Sequence, residues 1–175
     1  MDGSLLRLTI PNTDDLMANF DTVLILRQMI DGMPVFSEIP MVDNYSYKIG
    51  DNSFSGFMNS DIGGVCYINQ DTTIYSKGSG NLIRIQEAYS DLMVLPFEEC
   101  FPAALEAIWR YNHDFSISVV EAGFIPTEVW VSIDSTEIYL FPVWAVFFSA
   151  PNDVGISTAH TCVINATNGD VLYVA

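Results

Sequence analysis

The last third of the chain, Glu137 to Val174, constrains the fold most: it reads EIYLFPVWAVFF, then a polar break, then HTCVINATNG and DVLYV. Branched and aromatic residues in such density suit a pleated surface that is at least half buried. The segment is therefore read as a long strand, a linker, a second strand, a tight turn and a closing strand. Glu137 to Ser149 is apolar almost throughout, so it should be central or covered on both sides. Pro142 lacks an N–H for the ladder and should mark a bulge or an edge position. Thr161 to Asn165 and Asp170 to Val174 flank Ala166-Thr167-Asn168-Gly169, where Asn-Gly is expected to supply the positive φ of a tight hairpin.

Before this comes TEVWVSID, Thr127 to Asp134. It sets Val129, Val131 and Ile133 on one face and Glu128, Trp130, Ser132 and Asp134 on the other. Such alternation predicts one dry and one wet face. Phe115 to Ala122 alternates partially and is read as a separate strand. One helix is predicted upstream, over about residues 98–112. Its apolar Phe97, Phe101, Ala104, Leu105, Ile108 and Trp109 recur at three- and four-residue steps and should form one stripe against a core. Glu98 and Glu99 suit the positive N-terminal end and Arg110 the other. Pro102 is tolerated only in or near a first turn, which sets the start at about residue 98 or later.

The first 95 residues read as β-rich. Leu5 to Ile10 is a short strand stopped by Pro11-Asn12, and Thr13 to Asn19 is one helical turn capped by Thr13. Thr22 to Ile30 is a strand ending at the Asp31-Gly32 turn, with a short helix as the competing reading. Between Pro40 and Gly64, turn residues recur and Tyr45, Tyr47, Phe54 and Phe57 pin the segment to the body, as an irregular wrap or a pair of short strands. Val65 to Asn69 and Thr73 to Ser76 form a hairpin around Gln70-Asp71. Leu82 to Gln86 is a further strand, continued by Tyr89 to Leu95 beyond a bend. The fold class is therefore α+β, mostly antiparallel sheet with one principal helix packed on the C-terminal sheet. A soft boundary near Pro96 divides a β-rich lobe, 1–95, from a helix-plus-sheet lobe, 96–175, within what is readable as one continuous domain.

Charge excludes more than it identifies. Six basic against 22 acidic residues in 175 give a formal charge of −16. Such a surface repels phosphate backbones, and no Lys/Arg cluster forms a local exception, so nucleic acid is excluded as a partner and anionic lipid is disfavoured. A cationic partner surface fits, and so does plain solubility. Ile138 to Phe148 is the longest nearly unbroken apolar run, 11 residues including Pro142. A spanning helix needs roughly 20. Met1-Asp2-Gly3-Ser4 carries no basic and apolar leader pattern, leaving either a cytosolic protein or an exported one whose leader or lipid anchor lies outside this sequence.

Chemistry is sparse. Cys66, Cys100 and Cys162 show no metal-binding rhythm. A single bridge such as Cys66 with Cys162 is compatible with export, while buried free thiols are the expected state. His113 and His160 have no second imidazole within a helical turn, so neither is assigned to metal or catalysis, and His113, at the helix end, is read as capping or facing solvent. The Asp14-Asp15 and Asp51-Asn52-Ser53 pieces are too short for a calcium loop. Asn44-Tyr45-Ser46 and Asn165-Ala166-Thr167 match the N-glycosylation sequon. No catalytic set, cofactor or metal ligand is assigned. Aromatic side chains offer the best contact residues, and Trp130, Trp144 and Tyr139 are the candidate interface.

The C-terminal half, about 96–175, resembles PepSY-like modules, closest to the extracellular domains of the YycH/YycI type. Pro142-Val143-Trp144 matches their "P-x-W" strand, and Asn165-Ala166-Thr167-Asn168-Gly169-Asp170 matches their "v-A-x-T-G-e" turn. Asp31-Gly32-Met33-Pro34-Val35 is similar to the "dG-x-P" that follows their first long strand. The resemblance implies a non-enzymatic bacterial cell-surface domain that senses, restrains or inhibits another protein, a sensor kinase or a protease. It transfers no catalytic residues. The alternative is an extracellular carbohydrate-binding or hydrolase-like domain using carboxylates and aromatics of residues 40–64; two carboxylates about 5–10 Å apart in a cleft would mark it.

Overall fold

The structure is a computed structural model. It describes residues 5–8, 20–37, 39, 45–58, 64–69, 74–77, 92–132 and 135–175, with side chains over 27–37, 39, 45–56, 92–129 and 137–175. The expected helical turn at Thr13 to Asn19, the strand at Leu82 to Gln86, the start of the Tyr89 to Leu95 continuation and the Gln70-Asp71 turn lie outside the described residues. What is described is mostly antiparallel sheet with one α-helix, an α+β architecture.

The N-terminal residues form β1 (Leu5–Leu8) and β2 (Phe20–Leu26), antiparallel to one another. The branched run that opens at Thr22 stops at Leu26, because Arg27 is needed elsewhere. Its buried guanidinium donates from Nη1 to Glu121 Oε2 at 2.8 Å and lies 4.8 Å from the Phe36 ring centroid and 5.5 Å from that of Phe147. Paired and sandwiched in this way, a buried cation becomes tolerable. The chain resumes as β3 (Met29–Ile30), turns at Asp31-Gly32 and returns as β4 (Met33–Pro34). Asp31 has φ 50 and Gly32 φ 80. Two consecutive positive values are what a two-residue hairpin with strand-matching twist requires.

Residues 45–58 are a regular hairpin, β5 (Tyr45–Ile49) and β6 (Asn52–Met58), so the pair-of-strands reading of this stretch holds. Next come β7 (Gly64–Asn69) and β8 (Ile74–Lys77), the expected hairpin, which complete a four-stranded sheet in the order β1-β2-β7-β8.

Helix α1 (Phe97–Tyr111) starts one residue before the expected boundary and ends one before it. Pro102 therefore stands sixth in the helix, beyond the first turn to which the sequence reading confined it. Its ring faces the Glu98 carbonyl, close to the free helix end, where distortion is least costly. The two strands expected after the helix are one, β9 (Ser116–Ser132), which runs unbroken through Pro126. Phe124 O accepts from Phe36 N at 2.8 Å, and β6 joins β9 only from Met58↔Thr127 onward. Pro126 falls between these two attachments, so its missing N–H costs no ladder bond.

β10 (Ser135–Pro151) returns antiparallel along β9, followed by β11 (Ser157–Asn165) and β12 (Val171–Val174). The second sheet has the order β12-β11-β10-β9-β6-β5, taking its last two strands from before residue 96. β10 is central and buried on both faces, as its unbroken apolar run predicts. Phe141, Val143 and Ala145 join Phe36, Ile39, Tyr47, Ile125 and Val163 in one cluster. Alternate residues Val146, Phe148 and Ala150 join Cys100, Ala104, Ile108, Cys162 and Ile164 in another. Each large apolar side chain fully buried here contributes about 1.5–3 kcal/mol.

Side chains from both outer strands, Tyr45 and Ile49 of β5 and Leu172 and Tyr173 of β12, pack on the first cluster, so the sheet is strongly curled. The β11 ladder begins at Val143↔Asn165, one residue after Pro142. Pro142 is thus a local edge, its carbonyl receiving Ala166 N at 3.1 Å and the Tyr47 hydroxyl. The β11–β12 loop is longer than the tight Asn-Gly hairpin expected. Gly169 has φ 80, while Asn168 keeps a negative φ, and the loop closes through Asn165 N to Asp170 O at 2.8 Å.

Candidate functional site

The helix carries two apolar rows where the sequence reading placed one. Cys100, Ala104 and Ile108 are buried, and Phe97 and Ala107 pack against their cluster. Residues four apart in a helix stack one above the other, so Phe101, Leu105 and Trp109 form a second row beside the first. That row faces outward: Phe101 is 37% exposed, Leu105 39% and Trp109 53%. Met93 and Val94, just before the helix, are also exposed. The expectation that Phe101, Leu105 and Trp109 belong to the buried stripe is therefore corrected.

Two acids border the outer row, Glu98 three residues before Phe101 and Glu106 three before Trp109. Glu98 and Glu99 open the helix, and Glu106 is exposed with Arg110 Nη2 at 2.5 Å from its Oε1. Trp109 stacks on His113, with ring centroids 4.2 Å apart and planes 20° apart. That imidazole thus extends the aromatic row at the helix end.

Of the three residues singled out from sequence, Trp144 and Tyr139 pack on different clusters. Trp144 is half-buried: its Nε1 donates to Leu95 O at 2.9 Å and its ring lies 5.5 Å from Phe97, fastening the chain that enters α1. Tyr139 is half-buried among Phe54 and Phe141, with its hydroxyl donating to Glu137 Oε2 at 3.1 Å. Trp130 is paired with Thr136 across β9 and β10, and its side chain lies outside the described residues.

His160 is a structural pin. Its Nε2 lies 2.7 Å from Thr158 Oγ1, which also lies 3.2 Å from Ala150 O, and its Nδ1 lies 3.0 Å from the Tyr111 hydroxyl, which ties the end of α1 to β11. Cys100 and Cys162 are buried and free, so Cys162 forms no bridge with Cys66. Burial pushes the Cys162 thiol up to about 12. Burial, then the charge of Glu99, raises Cys100. Neither is a nucleophile at neutral pH. Among the described residues no group of three or more His, Cys, Asp or Glu could hold a metal.

The Asn165 sequon is closed. Asn165 is fully buried, its Nδ2 donates to Lys48 O at 2.9 Å, and its Oδ1 accepts from Thr167 N and Oγ1 at 2.8 and 2.7 Å. The Asn44 sequon lies outside the described residues. No helix among them is long and apolar enough to cross a membrane. Compared with known proteins, the chain matches no protein-family model, no curated protein and no solved structure.

Proposed function

We propose that this chain is a non-enzymatic, protein-binding module with a regulatory or inhibitory role, of the PepSY and YycH/YycI kind, held at the bacterial cell surface. In this reading α1 is laid on the C-terminal sheet by Cys100, Ala104 and Ile108, and its outer row is the contact surface. The observation that carries it is the exposed Phe101, Leu105 and Trp109 row on a chain of charge −16. Large apolar side chains aligned on one exposed ridge are a feature of interaction sites, and Trp is the residue most enriched at their centres. Of the aromatics on which a carbohydrate-binding reading would draw, Tyr45, Tyr47 and Phe54 are packed inward, and the side chain of Phe57 lies outside the described residues.

Site-specific photo-crosslinking in the native host tests the proposal. A photoreactive residue at Leu105 should give a discrete protein adduct that disappears with Trp109→Glu. The same residue at Val154, which is more exposed than Leu105, should give none. Absence of a protein adduct at 105, or equal labelling at both positions, would sink the reading.

A further inference from the structure

The exposed row has a shape and a charge setting that specify its occupant. Phe101, Leu105 and Trp109 span two four-residue steps, about 12 Å at 1.5 Å per residue. A row at this spacing is a convex ridge, and the complementary shape is the groove between two side-chain rows of another helix. It is bordered by Glu98, three residues before Phe101, and by Glu106, three before Trp109. The one basic side chain on α1, Arg110, is already engaged by Glu106. A second copy of this chain would bring its own acids to the contact, since it has 22 acidic and six basic residues. Like charges placed opposite one another disfavour such pairing.

We infer that the α1 ridge docks a basic amphipathic helix of another protein, with an apolar stripe seated on Phe101, Leu105 and Trp109 and Lys or Arg side chains along the stripe facing Glu98 and, in competition with Arg110, Glu106. The inference rests on the protein-binding reading above and adds the chemistry of the partner. Apolar contact supplies the residence time, and the charge pairing orients the partner and speeds its arrival at low salt.

The probe is a synthetic 14-residue Leu/Lys peptide patterned as an amphipathic helix, with a scrambled peptide of the same composition and a Leu/Glu counterpart as controls. Binding is followed by anisotropy of the labelled peptides. The patterned Leu/Lys peptide should bind at least tenfold tighter than either control, and Leu105→Glu should weaken it at least tenfold. This variant adds a negative charge, so binding by charge alone would tighten. Unchanged or tighter binding to Leu105→Glu, or equal binding of the scrambled or Leu/Glu peptide, overturns the inference. Should Leu105→Glu fail to fold by circular dichroism, Trp109→Glu supplies the same comparison. Sedimentation showing a dimer that Leu105→Glu dissociates would assign the ridge to a second copy and overturn it as well. A crosslinked partner without a basic amphipathic segment would refute the inference and leave the protein-binding reading standing.

Discussion

Asn165 donates from Nδ2 to the carbonyl of Lys48 at 2.9 Å, joining positions 117 residues apart in the chain. The bond runs from β11 to β5, strands with three others between them in the sheet order, so it closes the curl of the sheet. Thr167 Oγ1 reaches the same carbonyl at 2.9 Å and also donates to Asn165 Oδ1 in this arrangement of short contacts. Replacing Asn165 by Ala leaves Thr167 N without its acceptor and the Lys48 carbonyl with Thr167 Oγ1 alone, and should cost about 2 kcal/mol, read from urea denaturation. In a host that glycosylates, the folded protein should carry no glycan at Asn165. A modified Asn165 in native protein, or a loss below about 1 kcal/mol, would show that the latch is not closed.

Cys100 and Cys162 should be silent to a thiol reagent in the native state. In a Cys66→Ser background, a disulfide-exchange reagent should label no thiol until denaturant unfolds the chain, and then two. Rapid labelling of one thiol in native protein would mean that the cluster around α1 opens readily.

Stability should fall on the alkaline side. Burial lifts Cys162 from 9.0 to about 12. It also lifts Tyr45 from 10.0 to about 12, against the lowering effect of its Thr127 hydrogen bond, and raises Tyr47 further. These groups are acids held neutral in the fold, whereas the unfolded chain releases their protons at lower pH. Their stabilisation is therefore full below about pH 9 and is lost as pH rises toward 12. The urea midpoint should hold from pH 7 to 8.5 and drop from pH 9 upward. Cys162→Ala should make the drop between pH 9 and 10 shallower. A midpoint that is flat to pH 11 refutes this.

Gly123 lets the Pro34–Phe36 segment lie directly on β9. A Cβ there would stand 2.4 Å from Phe36 Cε2 and 2.5 Å from Pro34 O. Because the second contact is backbone, it cannot be relieved by a rotamer change, and Gly123→Ala should destabilise by about 3 kcal/mol in a denaturation curve. A change under about 0.5 kcal/mol would mean the segment is not held where it lies.

Pro102→Ala should act in the opposite direction. It restores a helix N–H at an exposed position of the second turn and should stabilise by about 2 kcal/mol, seen as a higher denaturation midpoint with unchanged slope. A neutral or destabilising result would show that Pro102 holds a bend that α1 requires.

The ridge was half legible. Three- and four-residue spacing marked Phe101, Leu105 and Trp109 as helical neighbours, but periodicity alone cannot say which of two adjacent rows turns inward. Trp144 and Tyr139 were singled out for their size, which is the property that also fits them to fasten Leu95 and to pack on Phe141. The merging of two expected strands into β9 was hidden by Pro126, whose fitness depends on what lies beside it.

Local chemistry in the sequence determined the elements themselves. The apolar run from Glu137 to Ser149 required a central strand, Asp31-Gly32 required a turn, and the Phe97 to Tyr111 pattern required a helix. These follow from backbone preference and side-chain period, which act over a few residues. Only the tertiary structure decided that β5 meets the β11–β12 loop through Lys48 and Asn165, and that Cys100, Ala104 and Ile108 turn inward while Phe101, Leu105 and Trp109 stay out. Those outcomes depend on close approach between distant segments, which backbone preference and side-chain period alone do not encode.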